Sequence, residues 1–333
     1  MRFVILGGGG WGTALSIVLG SKGADVKVWE YDNEQCERVI KSGENERFLP
    51  GVSIPPTVQF TSDISDAVEG REIVVFAVPS HTLRSVAKNL AKLEVSCAVV
   101  VSGTKGLEDD SLMRMSEVLA DELPSGVAEK IVVLAGPSHA EEVSRMCPTA
   151  VVAASSNVAL AKQVQQLFST NHFRVYSSED VTGVELGVSI KNVIAIAAGI
   201  CDGIGYGDNT KAALITRGLA EMTRLGVALG ARRETFFGLA GVGDLVVTCL
   251  SRHSRNRHVG EQVGKGRRLE GVLSEMVMVA EGVRTTRSAL HLARRHEVEM
   301  PITEQVYAVL FEGKDAHSAM DELMSRELRS ETW

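Results

Sequence analysis

Lys191 and Asn192 interrupt a segment that is otherwise strongly apolar, Glu185-Leu186-Gly187-Val188-Ser189-Ile190-Lys191-Asn192-Val193-Ile194. A lysine placed there either snorkels to water along its methylene stem or is buried beside a ligand. Burial favours the neutral amine and lowers its pKa, which makes it a usable general acid or base. Asp244 ends the glycine-rich run Gly238-Leu239-Ala240-Gly241-Val242-Gly243, as a helix N-cap or as a site residue. Shortly after it, Ser251-Arg252-His253-Ser254-Arg255-Asn256-Arg257-His258 sets three arginines among Ser and Asn donors. That run suits a phosphate or pyrophosphate, and a solvated basic loop has the same composition.

Two further segments follow expected strands. In Ser102-Gly103-Thr104-Lys105-Gly106-Leu107, a lysine sits beside glycines where open α/β sheets bind ligands; a solvated surface lysine is the alternative. In Ala135-Gly136-Pro137-Ser138-His139-Ala140-Glu141-Glu142, Ser138 is expected to N-cap the next helix. His253 and His258 lack the partners of a metal site, and no HExxH or Cys–His cluster occurs, so no metal is expected. There is no GxSxG elbow of a serine hydrolase.

The start of the chain carries the strongest local signal. An apolar run at residues 3–6 leads into Gly7-Gly8-Gly9-Gly10-Trp11-Gly12 and then a helical pattern. This is GxGxxG in its strand–turn–helix setting. Gly7 permits the tight turn, Gly9 lets backbone approach a pyrophosphate, and Gly12 lets helix and strand pack closely. The helix N-terminus adds free N–H groups. Glu30 lies 18 residues beyond Gly12, at the end of the second expected strand, where an acid accepts a hydrogen bond from the adenosine ribose. The first half of the chain therefore points to NAD or NADP and leaves the reduced substrate open.

The elements that must hold these groups follow from periodicity. Nearly continuous apolar runs at residues 3–6, 26–29, 73–78, 98–102, 131–135 and 150–153 read as strands of a sheet covered on both faces. Helical spacing at 13–22, 83–93, 112–123 and 159–168 separates them. From about residue 178 strand signals nearly vanish, and 183–199, 211–229, 259–264, 284–295, 303–310 and 316–324 read as helices. The expected fold class is α/β: a Rossmann-type doubly wound domain over residues 1–182, then an all-helical domain over 183–333. A cleft between the two is the expected ligand site.

Composition narrows the function classes. Acids outnumber bases 42 to 35, a net charge of −7, and aromatic residues make up 5% of the chain. A globally basic nucleic-acid binder and a base-stacking platform are both disfavoured. No apolar stretch approaches a membrane span of roughly 18 residues, so no membrane partner is expected. Five cysteines at wide spacing form no CxxC and no disulfide framework, which suits a reducing cytoplasm.

Taken in order, GGGGWGTA, RFLPG, SGTKGL, AGPSHAEEV, ELGVSIKNVIAIAAGICDG, NTKAALITRGLAEM, GLAGVGDLVVTC, SRNR and AEGVRT resemble the bacterial NAD(P)-dependent sn-glycerol-3-phosphate dehydrogenase family over nearly the whole chain. The resemblance implies reversible reduction of dihydroxyacetone phosphate to sn-glycerol 3-phosphate for glycerophospholipid synthesis. It implies a small phosphorylated triose as substrate, and a homodimer. By position it makes Lys191 the catalytic lysine and Lys105 a contact to substrate and cofactor. Gly136, Ser138, Asn192, Asp244, Thr248, Ser254, Arg255 and Asn256 fall at substrate-site positions. Gly10, Trp11, Phe48, Ala140, Val279 and Glu281 fall at cofactor positions, and Arg255 reaches both. Two departures bear on cofactor choice. Gly10 stands where Ser or Asn is common, and Tyr31 stands near a position commonly basic. With Glu30, Tyr31 and Asp32 together, NADH is expected over NADPH. The rival reading is a related two-domain dehydrogenase of a 3-hydroxy acid.

Overall fold

Short β-branched runs build one eight-stranded sheet: β1 (Arg2–Leu6), β2 (Asp25–Trp29), β3 (Val58–Thr61), β4 (Ile73–Phe76), β5 (Val99–Ser102), β6 (Ile131–Ala135), β7 (Thr149–Ala154) and β8 (Phe173–Ser178). The computed structural model describes residues 1–331 apart from Glu94, Ser96 and Arg329. Thr332 and Trp333, the end of the expected helical domain, lie outside the described residues.

The strand order is β3-β2-β1-β4-β5-β6-β7-β8. Neighbouring strands are parallel except β6 and β7, which run antiparallel, a departure from a purely parallel sheet. The order reverses between β1 and β4, the switch point beside which open α/β sheets bind ligands at the strands' carboxyl ends. Side chains alternate across the sheet: Phe3 and Ile5 join one apolar cluster, and Val4 and Leu6 join another on the opposite face. Helices on both faces make β1, β4 and β5 almost wholly buried, which is why they read as continuous apolar runs.

β3 and β8 were not expected from periodicity. They are the two edge strands, and their burial alternates along VQFT and FRVYSS, so neither carries the continuous run that marks a central strand. The helix expected over 112–123 begins only at Met115, because Leu112 sits at φ 61° in a loop closed by the Leu107–Arg114 bridge.

Beyond the sheet, one 23-residue helix, Val181–Gly203, organises the remainder. Its mean hydropathy of 1.7 over an 18-residue window makes it long and apolar enough to cross a membrane, contrary to the expectation of no such stretch. That window is buried inside the fold, as in the core helix of a helical domain. Asp180 caps it, accepting from Gly183 N at 2.9 Å, and also accepts from Arg232 N and Thr235 Oγ1 at 2.9 and 2.6 Å. Helix Arg255–Gly264 packs backbone to backbone against it. A Cβ on Gly260 would lie 1.9 Å from the Ile196 carbonyl oxygen, and one on Gly199 would lie 2.0 Å from that of Arg257. Helices Asp208–Ala228, Asp244–Leu250 and Glu281–Arg295 pack against the same core helix.

Candidate active site

β1 delivers the chain to Gly7 at φ +116°, where a Cβ would also lie 2.8 Å from the Ala77 carbonyl oxygen. Gly9 N-caps helix Gly10–Gly20 with no side-chain hydrogen bond, and a Cβ there would meet nothing within 4 Å. The first N–H groups of the helix have no side-chain cap and the space beside Gly9 is open, so the loop fits a dinucleotide pyrophosphate. A Cβ at Gly12 would come 1.9 Å from the Gly7 carbonyl oxygen, so only glycine lets the first turn of the helix lie this close. The Gly10 Cβ position is 3.1 Å from the Phe48 carbonyl oxygen and 3.6 Å from Ala140 Cβ, so these three line one edge of the loop. Trp11 lies against Gly103 of the loop after β5. Asn45, which sequence reasoning missed, is fully buried beneath the loop. Its Nδ2 donates to the Gly8 carbonyl at 2.7 Å and to Thr13 Oγ1 at 2.8 Å. One asparagine in a polar stretch, 37 residues from its partner, carries no local signal.

Glu30 follows β2 and is 4% exposed. Its Oε1 accepts from Asp32 N at 3.0 Å, and its Oε2 lies 2.6 Å from the position of a Gly8 Cβ, so the carboxylate is tucked against the glycine loop. Burial pushes its pKa up, and the Asp32 backbone N–H pulls it the other way. Tyr31 points to solvent, 78% exposed. Asp32 accepts from Gln35 N at 3.1 Å through Oδ1, capping helix Asn33–Ser42, and pairs through Oδ2 with Arg47 at 3.3 Å.

Lys191 is 5% exposed on the core helix. Its Nζ donates to Asp244 Oδ1 at 2.9 Å and to Thr248 Oγ1 at 2.6 Å. The Thr248 hydroxyl donates to the Asp244 carbonyl one turn back at 2.6 Å, which leaves its oxygen to accept from the lysine. Lys105 reaches the same carboxylate from the loop after β5, donating to Asp244 Oδ2 at 3.1 Å and to the Gly136 carbonyl at 3.0 Å. Asp244 therefore bridges two ammonium groups. It is not an N-cap: Gly243 holds that position, and Asp244 opens helix Asp244–Leu250, where the N-terminal end favours an anion. Gly187 makes the approach possible, since a Cβ there would come 2.4 Å from the Ala240 carbonyl oxygen of the turn leading to Asp244. Burial lowers the Lys191 pKa to about 8, opposed by Asp244 and aided by the charge on Lys105. For Asp244 burial acts upward, but the two lysines outweigh it and hold the carboxyl below its ordinary value.

Gly136 follows β6 at φ +147°. Its carbonyl accepts from Lys105 and also from Ser138 Oγ at 3.0 Å. Ser138 is thus not the expected N-cap. His139 precedes helix Ala140–Val143 and no side chain caps it, because the Ser138 hydroxyl is turned back to Gly136. On the core helix, Asn192 Oδ1 accepts from Asn256 Nδ2 at 2.9 Å, and Asn256 Oδ1 accepts from Gly282 N at 2.8 Å, which ties three helices together. Ser254 caps helix Arg255–Gly264 by accepting from Arg257 N at 3.2 Å. The structure separates the three arginines of this run. Arg257 pairs with Asp202 at 2.6 Å, whereas Arg255 is exposed and donates to the Val279 carbonyl at 2.9 Å. Glu281 accepts from Ser80 N at 3.0 Å and Ser80 Oγ at 2.5 Å, reaching the helix that follows β4.

The family model for the NAD-dependent glycerol-3-phosphate dehydrogenase N-terminus matches residues 2–161, and the C-terminal model matches 180–321. The chain is 53% identical over 331 residues to glycerol-3-phosphate dehydrogenase [NAD(P)+] of Chlorobium phaeobacteroides, covering 99% of each. It is 53% identical over 332 residues to that of Geobacter sulfurreducens, covering 100% of this chain and 99% of the relative. The crystal structure of glycerol-3-phosphate dehydrogenase from Coxiella burnetii superposes with a TM-score of 0.93 at 40% identity, covering 98% of this chain and 99% of that one. Two matched family models and full-length identity place the chain in the NAD-dependent glycerol-3-phosphate dehydrogenase family.

Proposed function

We propose that this chain interconverts dihydroxyacetone phosphate and sn-glycerol 3-phosphate with NAD(P)H, and that Lys191 moves the proton. The observation that carries the assignment is the buried Lys191 held by Asp244 and Thr248. When bound, a nicotinamide cofactor supplies or accepts the hydride at the substrate carbon. Protonated Lys191 has three N–H donors, of which two are engaged. The third is left for the carbonyl oxygen, where negative charge grows during reduction and the proton is delivered. In oxidation the neutral amine keeps two donors for Asp244 and Thr248, and its lone pair receives the hydroxyl proton. Asp244 orients both lysines, and Lys105 adds positive charge beside the reacting oxygen.

Substrate contacts are assigned to Lys105, Gly136, Ser138, Lys191, Asn192, Asp244, Thr248, Ser254, Arg255 and Asn256, with Arg255 anchoring the phosphate. The cofactor is assigned to Gly7, Gly9, Gly10, Trp11, Gly12, Glu30, Tyr31, Phe48, Lys105, Ala140, Arg255, Val279 and Glu281. NADH is preferred to NADPH, supported by two acids, Glu30 and Asp32, at the end of β2. The chain divides at 182/183, near the Asp180 cap that starts the core helix. Five unpaired cysteines suit a reducing cytoplasm. A homodimer is the proposed assembly, read out as twice the 35.8 kDa chain mass by light scattering. The deciding assay follows reduced-nicotinamide absorbance with dihydroxyacetone phosphate, with phosphate-free dihydroxyacetone and with a 3-oxo acid. Turnover of the last alone would overturn the reading.

A further inference from the structure

We propose that Arg47 receives the 2′-phosphate when NADPH binds, and that Asp32 sets the cofactor discrimination by occupying Arg47 when the phosphate is absent. The proposal rests on the cofactor site described above. Arg47 lies in the loop between helix Asn33–Ser42 and β3, which the Glu44–Ser53 bridge and the Leu49 N to Asn45 carbonyl hydrogen bond at 2.7 Å hold in place. Its guanidinium sits 5.0 Å from the Phe48 ring centroid, and its Nη1 sits 3.3 Å from Asp32 Oδ2. The Phe48 carbonyl borders Gly10, and Asp32 is two residues beyond Glu30, so Arg47 stands between the glycine loop and the end of β2. In a doubly wound fold that is where the adenosine ribose lies, and where a nearby arginine accommodates a 2′-phosphate.

The charges around Arg47 favour an exchange of partners. The Arg47 and Asp32 side chains are 44% and 28% exposed, so their pair is a weak surface contact. A phosphate monoester offers a guanidinium stronger, charge-assisted hydrogen bonds. Two other cations of this region are engaged elsewhere. Arg38 bonds Gln35 Oε1 at 3.3 Å and lies 3.8 Å from Glu34, while Lys27 pairs with Asp66. Glu30 is already buried against Gly8 and held by the Asp32 N–H, so the acid that a 2′-phosphate must displace is Asp32.

The test measures Kd for NADH and NADPH by calorimetry on the full chain, and kcat/KM in parallel. Asp32→Asn keeps a good N-cap for helix Asn33–Ser42 and is expected to tighten NADPH about tenfold while leaving NADH within about twofold. Arg47→Ala is expected to weaken NADPH about tenfold with NADH unchanged, and the double variant to lose the gain of Asp32→Asn. Unchanged NADH binding reports that each variant is folded. Equal effects of Arg47→Ala on both cofactors, or no gain from Asp32→Asn, would overturn the proposal. An unmodified protein that binds NADPH more tightly, with that preference erased by Arg47→Ala, supports Arg47 while overturning the NADH preference. Absent turnover of dihydroxyacetone phosphate with the Kd pattern intact overturns only the reaction.

Discussion

The role proposed for Lys191, moving one proton, carries both a rate and a pH profile. Lys191→Ala is expected to lower kcat by about 10²–10⁴-fold while cofactor Kd stays near the unmodified value. Asp244 keeps Lys105 as a counter-ion in that variant, so no buried carboxylate is orphaned. A near-normal kcat would refute the role. Burial places the Lys191 pKa at about 8, below the free value of 10.5. Reduction needs the protonated amine, so its kcat/KM should fall as pH rises through that value. Oxidation needs the neutral amine and should fall as pH drops through it. Asp244→Asn removes the group that raises the Lys191 pKa and leaves two neighbouring cations, so both limbs should move to lower pH. Limbs that move upward would show that Asp244 does not act on Lys191.

At the scale of elements, the site depends on how closely the turn 239–243 lies against the core helix. Gly187→Ala would place a Cβ 2.4 Å from the Ala240 carbonyl oxygen, which is backbone and cannot rotate away. The turn must shift, and with it Asp244 at the start of the next helix. Overpacking of this kind commonly costs about 1–3 kcal/mol. The expected outcome is a lower midpoint in urea together with a drop in kcat, because the shift pulls Asp244 away from Lys191. A stability loss with kcat unchanged would show that the Lys191–Asp244 contact tolerates movement of the turn.

Across the whole molecule, Glu281 joins the helical half to the sheet half by capping the helix that starts at Ser80. Losing a helix cap costs about 1 kcal/mol. Glu281→Ala should therefore lower Tm by a few degrees and raise the KM for the cofactor more than it lowers kcat, since the cleft walls are less firmly tied. Differential scanning calorimetry and cofactor titration check the two effects. A variant with unchanged Tm and unchanged cofactor KM would remove Glu281 from both roles.

Local patterns in the sequence were enough for the glycine loop, the central strands and the helical character of the second half, because each is written in neighbouring residues: GxGxxG after an apolar run, or apolar spacing along one helix. The edge strands β3 and β8 were illegible, since half-exposed strands lose the continuous apolar signal. Ser138 and Asp244 show the limit for side chains. Local rules favour Ser138 as a cap and allow it for Asp244, yet the first turns back to Gly136 and the second faces two lysines. Those partners are distant in sequence: Lys191 and Asp244 are separated by 53 residues, and Lys105 and Asp244 by 139. Residue types therefore determined which groups were available for chemistry. Only the tertiary structure decided their partners, because contacts between elements set the burial and neighbouring charge that tune Lys191.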